Sequence, residues 1–376
     1  MSKKGENIYK RKDRRWEARY IKGRAVNGRI QYGYCYGTSY REAKERAEKA
    51  KAALLTHTPI SGSGGKKRFS AYCDEWLQIS QNRVKESSYI KYWTIVERHI
   101  RPKLGEYLLT ELSTMHMEKF SRALLEDGLA PKTVRDILNV TRSILKYTAK
   151  HFPGTMQFID MAYPKETKRE MRILTPEEQT GFVRYLLTDM EPCKFGVLLA
   201  LLTGLRIGEL CALRWGDISP ETGAIRVAST MQRLKNTESD ACKKTKILIS
   251  QPKSSASARW IPLSDDAETL CGHWRVSDPN AFVLTGRADR YIEPRTLQYR
   301  FMQYAKVCGL DHIHFHVLRH TFATRCVEVG VEIKSLSEIL GHTSPQFTLE
   351  RYVHASMELK RNELKKLGAV LPQASG

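Results

Sequence analysis

Apolar residues recur at helical spacing through most of the chain and alternate strand-fashion in only a few short stretches. From Phe69 to His151 the helical pattern is unbroken: Phe69, Tyr72, Trp76 and Leu77, then Ile90, Trp93, Ile95 and Ile100, then Met117, Phe120, Leu124 and Leu125, then Val134, Ile137, Leu138, Ile144, Leu145 and Tyr147. Pro102, Gly105, Gly128 and Pro131 punctuate it, so four helices are predicted. Further on, Thr175, Pro176 and Glu178 form a helix start, and Val197 to Leu202 is apolar on every side, as a fully buried helix requires. Near the C-terminus the pattern predicts helices over Val317 to Val329 and Ile333 to Leu340, the second stopped by Gly341. Ser344 and Pro345 then open a third, short helix with Tyr352 at its far end.

Strand-like pieces lie in two places. Asn7 to Arg11, the alternating Trp16, Ala18 and Tyr20, and the alternating Ile30, Tyr32, Tyr34 and Tyr36 predict three strands, with an Asn27-Gly28 turn between the last two. Ser39 and Glu42 make a capping box for a helix whose Ala43, Ala47, Ala50 and Leu54 give it a small apolar face to lay on that sheet. Ala224 to Ala228, Lys246 to Ser250 and Arg259 to Leu263 predict a second small antiparallel sheet, after a polar stretch from 229 to 246. The stretch TPISGSGGKK, residues 58–67, has the composition of a flexible tether, and 151–172, with Pro153, Gly154, Pro164 and a lysine-rich run, reads as a connection. The expected organisation is therefore mixed α/β and multidomain: a three-stranded sheet plus helix over 1–57, a linker over 58–67, a helical domain over 68–152, and a mainly α domain with a small sheet over 170–376.

Charge adds a partner to this outline. The 376 residues carry a net charge of +21 with a pI near 9.6, which argues for a polyanion. Residues 1–57 hold 16 Lys and Arg against 6 Asp and Glu, so nearly half of the excess sits in the first module. Eight isolated cysteines, with no CxxC pair, suggest neither a zinc site nor a disulfide framework and fit a reducing cytoplasm. Neither a membrane-spanning apolar run nor a signal-peptide core follows the basic N-terminus.

The candidate chemistry lies in two motifs. In FHVLRHTFAT, His316 and Arg319 are three apart on a predicted helix and share a face. His342 directly follows Gly341, and Tyr352 comes ten residues later. Upstream, TGLRIGELCAL supplies Arg206 and, three residues on, Glu209. An arginine followed by Gly-Glu-Leu, an H-x-x-R pair, a Gly-His pair and a tyrosine, in this order, resemble the tyrosine recombinases, the family of phage and conjugative-transposon integrases. The resemblance covers about Arg172 to Leu367. The N-terminal module resembles the AP2-like domain of transposon-type integrases, and 68–152 resembles the family's core-binding domain, which implies that Ser87, Ser88, Lys91, Lys132, Thr133 and Arg135 lie near DNA phosphates.

The resemblance implies a site-specific recombinase acting through a 3′-phosphotyrosyl link. Tyr352 would be the nucleophile, Arg206 and Arg319 would hold the phosphate, and Glu209 would orient Arg206. His342 would also hold the phosphate and His316 would assist proton transfer. Lys253, in the turn between the last two predicted strands, would protonate the leaving 5′ oxygen, with Lys243, Lys244 and Lys246 as its competitors. His320 reads as a packed or partly exposed histidine. Transesterification calls for no cofactor and no metal. The implied partners are double-stranded DNA at crossover sites and at separate arm-type sites, three further copies of the chain in a tetramer on DNA, and an excisionase or host DNA-bending protein. Localisation would be the bacterial cytoplasm, at the nucleoid, with no membrane. The tail from Met357 to Leu367 would pack on a neighbouring subunit. Two alternatives share parts of the pattern: a type IB topoisomerase-like relaxing enzyme, and a DNA-binding regulator without catalysis. A metal site built from His312, His314, His316, His320 and His342 is disfavoured, because the residues between His316 and His320 lack the glutamate of a metalloprotease helix.

Overall fold

A computed structural model describes residues 7–11, 13, 15–24, 30–55, 67–153, 159–166, 171–236, 244–251 and 258–352. Lys253, the linker residues 58–66 and everything after Tyr352 lie outside these. The chain divides into two compact units, Met1–Glu166 and Thr167–Gly376. No helix among the described residues is long and apolar enough to cross a membrane.

In the first unit, β1 (Ile8–Lys10), β2 (Trp16–Arg24) and β3 (Ile30–Gly37) form an antiparallel sheet in that order, and α1 (Tyr40–Leu55) follows. The register pairs Ala18 with Cys35 and Glu17 with Tyr36, which sorts the side chains onto two faces. Ile8 and Ala18 pack on Ala43 and Ala47 of the helix, with Trp16, Tyr20 and Cys35 around them. Tyr9, Tyr32, Tyr34 and Tyr36 are exposed. The alternating tyrosines of β3 thus form the outer face rather than the core face. Arginines cover this face: the Arg19 guanidinium lies 4.2 Å from the Tyr32 ring centroid, and Arg11 and Arg15 lie 5.7 Å and 5.6 Å from that of Tyr36. The expected capping box is shared out differently, since Ser39 accepts from the Glu42 N–H while the Glu42 carboxylate accepts from Thr38.

Four helical runs make up the rest of the first unit. They are α2 (Phe69–Gln81), α3 (Glu86–Ile95) continuing through a π turn (Val96–Ile100) into α4 (Arg101–Leu104), α5 (Thr114–Glu126) and α6 (Pro131–His151). Their apolar stripes meet in one core from Phe69 to Leu145. That core extends into the expected connection, because Met161 is buried in it and Ile159 and Tyr163 pack against it. Two of the expected phosphate contacts have partners within the chain: Lys91 pairs with Asp136, and Arg135 pairs with Glu166.

The second unit is mainly helical: α7 (Pro176–Leu187), α8 (Pro192–Thr203), α9 (Ile207–Ala212), α10 (Asp265–Trp274), α11 (Pro294–Val307), α12 (His316–Glu328), α13 (Ile333–Leu340) and α14 (Pro345–Tyr352). Thr175 and Glu178 form the predicted capping box of α7. The apolar α8 is buried along nearly its whole length, with most of the other helices arranged around its core. The small sheet differs from the expectation. β4 (Ile218–Ser219), β5 (Ala224–Val227) and β8 (Arg259–Pro262) form one three-stranded sheet, whereas β6 (Thr230–Lys235) and β7 (Thr245–Ser250) form a separate two-stranded ribbon. The polar stretch after 229 therefore begins with a strand. β7 and β8, which flank Lys253 in sequence, pair with β6 and β5 and not with each other. Gly208 explains how the ribbon meets α9, because a Cβ there would sit 2.7 Å from the Met231 carbonyl oxygen and 2.7 Å from Thr230 Oγ1.

Candidate active site

The end of α13 organises the site. Gly341 takes φ of 62°, and the chain closes the helix with a Schellman pair of bonds, His342 N–H to Ser337 O and Gly341 N–H to Glu338 O, both 3.0 Å. The last carbonyls of the helix then lack intrahelical donors and sit at its negative pole. Three arginines from three other elements satisfy them. Arg259 of β8 donates to Ile339 O at 2.5 Å, Arg319 of α12 to Leu340 O at 2.5 Å, and Arg206 to Gly341 O at 3.3 Å. Arg319 also donates to Gly204 O, just past the end of α8, at 2.8 Å.

Arg206 lies in extended backbone between α8 and α9, one residue before the second helix, rather than at the end of the first. Glu209 ties it down: the carboxylate accepts from the Arg206 backbone N–H at 3.0 Å and from its Nη1 at 2.7 Å. The same carboxylate receives both terminal nitrogens of Arg259, at 3.1 and 3.0 Å. Glu209 is only 4% exposed. Burial pushes its carboxyl up, but the bonds and charge of Arg259 and the charge of Arg206 together outweigh this and hold it below its ordinary range.

Arg319 is 2% exposed, and burial, reinforced by Arg206, lowers its guanidinium to about 9. Its Nη2 also lies 3.0 Å from His342 Nε2. A guanidinium only donates, so Nε2 is the acceptor and the imidazole proton sits on Nδ1, which donates to Thr348 Oγ1 of α14 at 2.8 Å. Desolvation, then the charges of Arg319 and Arg206, depress His342 to about 3, so it is neutral at physiological pH.

Tyr352 closes the group. It is 5% exposed, and its ring is parallel to that of His342 within 4° at 6.1 Å between centroids. Its hydroxyl lies 3.0 Å from Nδ1 of His320, which is itself buried, and the Arg319 guanidinium is near enough to act on it electrostatically. Burial raises the Tyr352 pKa despite Arg319 and Arg351, which act the other way. His316 is exposed, and it meets His320 edge-on with ring centroids 4.4 Å apart. Among the described residues, no three His, Cys, Asp or Glu converge as metal ligands.

Residues 172–358 match the Phage integrase family, and residues 68–125 match the Phage integrase N-terminal SAM-like domain. The chain belongs to the tyrosine recombinases. Members of this family cleave and exchange DNA strands, and this chain is an enzyme of that class. It is 24% identical over 369 residues to the tyrosine recombinase XerC-like protein of Caldanaerobacter subterraneus subsp. tengcongensis, covering 92% of this chain and 93% of that one. Its fold is similar to the Tn1549 transposon integrase in complex with a circular intermediate DNA, with TM-score 0.65 and 20% identity over 80% of this chain and 100% of that one. It is also similar to a lambda integrase tetramer bound to a Holliday junction, with TM-score 0.55 and 19% identity over 90% and 96% of the two chains.

Of the residues expected from sequence, the recombinase brings together Arg206, Glu209, Arg319, His342 and Tyr352, with His316 at the edge. Lys253 lies outside the described residues. Sequence reading missed three participants: Arg259, Thr348 and His320. Arg259 opens a strand as an ordinary basic residue, and Thr348 reads as helix surface. His320 carried a signal, because its spacing from His316 puts both rings on one face of α12. Spacing alone does not distinguish a metal-binding pair from a contact with the tyrosine.

Proposed function

We propose that this recombinase integrates and excises a mobile element by cutting DNA at a crossover site through a 3′-phosphotyrosyl intermediate, with Tyr352 as nucleophile. The observation that carries the reading is the convergence of Arg319, His342 and the Tyr352 hydroxyl at the end of α13. A tyrosine with a pKa near 10 is about one part in a thousand ionised at pH 7, a deficit of roughly 4 kcal/mol. Burial of Tyr352 adds to that deficit. Arg206 and Arg319 bind the non-bridging oxygens of the scissile phosphate and stabilise the charge that builds there. Glu209, clamped by Arg259, fixes the Arg206 backbone and fork. His342, presenting a fixed tautomer, completes the phosphate cradle. Lys253 protonates the 5′ leaving oxygen, a role suited to an amine whose pKa falls beside guanidinium groups.

The organisation we propose is an arm-type DNA-binding module over 1–57, a linker over 58–67, a core-binding helical domain over 68–152 and the catalytic domain over 170–376. The exposed tyrosines and arginines of the first sheet support the first assignment, since aromatic and guanidinium groups interleaved on one face suit a DNA groove. Four copies act together on paired DNA sites, a reading supported by the likeness to the lambda integrase tetramer. An excisionase or host bending protein would set direction.

The test is covalent capture. The chain is incubated with a pool of nicked duplexes of randomised crossover sequence, and detergent-stable protein–DNA adducts are isolated and digested. DNA attached at Tyr352 is the expected result. Absence of any adduct, or attachment elsewhere, rejects the assignment.

A further inference from the structure

The roles above leave one hydrogen bond at the reacting atom without a function: Tyr352 hydroxyl to His320 Nδ1, 3.0 Å. The hydroxyl has two neighbours of different kind. Arg319 carries donors only and cannot take the hydroxyl proton, which needs an acceptor elsewhere. His320 Nδ1 is the acceptor in reach. His342, although stacked on the tyrosine ring, has its Nε2 lone pair committed to Arg319 and its Nδ1 proton to Thr348. His316 is exposed, and its ring meets His320 edge-on rather than the tyrosine hydroxyl.

We propose that His320 is the proton acceptor for the nucleophile, a role that rests on Tyr352 acting as proposed above. As the bond from Tyr352 Oη to phosphorus forms and the bond from phosphorus to O5′ breaks, the hydroxyl proton passes to His320 Nδ1. O5′ takes a separate proton from the general acid assigned to Lys253. When the strand is rejoined, O5′ gives its proton back to that acid, and the departing tyrosine oxygen recovers its own from the His320 imidazolium. Protons and bonds balance in each direction with no further reactant.

The surroundings make this transfer depend on DNA. Desolvation depresses His320 to about 3, and the neighbouring His316, Arg351, Arg319 and His342 act in the same direction. In the free protein the tyrosine is consequently protonated and the histidine neutral. A phosphodiester seated against Arg206 and Arg319 brings a negative charge into this cluster and offsets the arginine fields that keep His320 from accepting a proton. Base strength at Nδ1 thus rises when the scissile phosphate arrives, so an unloaded site carries an unactivated nucleophile.

The test uses the full chain and one nicked duplex, selected with the wild-type protein from the randomised pool. Single-turnover adduct formation is measured from pH 6 to 9 for wild type, His320→Ala and His320→Asn, with DNA affinity and thermal unfolding recorded for each. Asparagine places an amide oxygen close to the position of Nδ1, so it keeps a hydrogen-bond acceptor without a base. Both variants are expected to bind DNA within about 2-fold of wild type and to slow adduct formation at pH 7 by about 100-fold or more. Their residual rates should climb with pH as solvent takes over the proton, and added imidazole should partly rescue the alanine variant. A folded His320→Asn protein that reacts at the wild-type rate would overturn the proposal in favour of simple positioning. Faster reaction of His320→Ala would overturn it too, since the histidine would then be holding the tyrosine back. A wild-type chain that forms no adduct at Tyr352 rejects the underlying reading, which separates the two failures.

Discussion

Glu209 and Arg259, fifty positions apart, form a two-bond pair in which both side chains are almost wholly buried. The carboxylate of this pair also carries Arg206. Arg259 therefore bears on the placement of Arg206 through the Glu209 carboxylate that both share. Removing one partner of a buried pair leaves an uncompensated charge and costs about 3 to 5 kcal/mol. Arg259→Met should lower the thermal midpoint by roughly 6 to 20 °C, at the 2 to 4 °C per kcal/mol usual for a unit of this size. Arg259→Lys, which keeps the charge but loses the fork, should fall between. A midpoint unchanged in the methionine variant, measured by calorimetry, would mean that the pair carries no weight.

Tyr352→Phe removes only the hydroxyl and its bond to His320. The basic surfaces remain, so DNA affinity in a gel-shift titration should stay within about 2-fold, and stability should change by about 1 kcal/mol. No covalent adduct should form. Adduct formation by this variant would remove Tyr352 from the mechanism.

Replacing Lys253 with Ala should slow cleavage of ordinary DNA about 100-fold or more, the usual scale for losing a general acid. A substrate with sulfur at the 5′ leaving position should be cut at nearly the wild-type rate, because a thiolate leaves without a proton. Equal slowing on both substrates would assign the acid to another residue.

His342 and His320 give the fold a defined acid response. Unfolded histidines take up a proton near pH 6.5, whereas in the folded chain both are depressed to about 3. Their folded pKa values are lowered, so across that window the unfolded state binds more protons. Stability is present above pH 6.5 and is lost as pH falls toward 3. Between pH 7 and 5.5 the loss is about 1 kcal/mol for each histidine. Urea midpoints at the two pH values should show it, and a His320→Asn, His342→Asn double variant should lose most of the difference. An equal pH response in the double variant would place its origin in other groups.

Deleting residues 1–57 tests the arm assignment. A module touching about four to six phosphates contributes roughly 4 to 5 to the slope of binding against log salt, at about 0.9 for each contact. That contribution should vanish on DNA carrying flanking repeats, while cleavage at the crossover site survives. Within the module, Arg19→Ala and Tyr34→Ala should weaken only the flanking footprint. Uniform loss of protection would make the module a nonspecific basic arm.

What the sequence determined by itself was the set of local choices. The boundaries of α13 follow from Gly341, those of α7 from Thr175 and Glu178, and the burial of α8 from its lack of a polar face, because capping and amphipathicity act within a few residues. The order of Arg206, Arg319, His342 and Tyr352 was legible for the same reason, each motif being short. The strand Thr230–Lys235 was not legible: its buried residues, Met231 and Leu234, stand three apart and break the alternation that marks a strand. Its identity comes from pairing with Thr245–Ser250 and from the close approach of Gly208. Only the tertiary structure decided that Arg259 meets Glu209, that three arginines share the carbonyls ending one helix, and that the hydroxyl of Tyr352 rests on His320. Those contacts join side chains from elements tens of residues apart, and a guanidinium or an imidazole acquires its partner, and hence its charge state, only when packing brings that partner within hydrogen-bond reach.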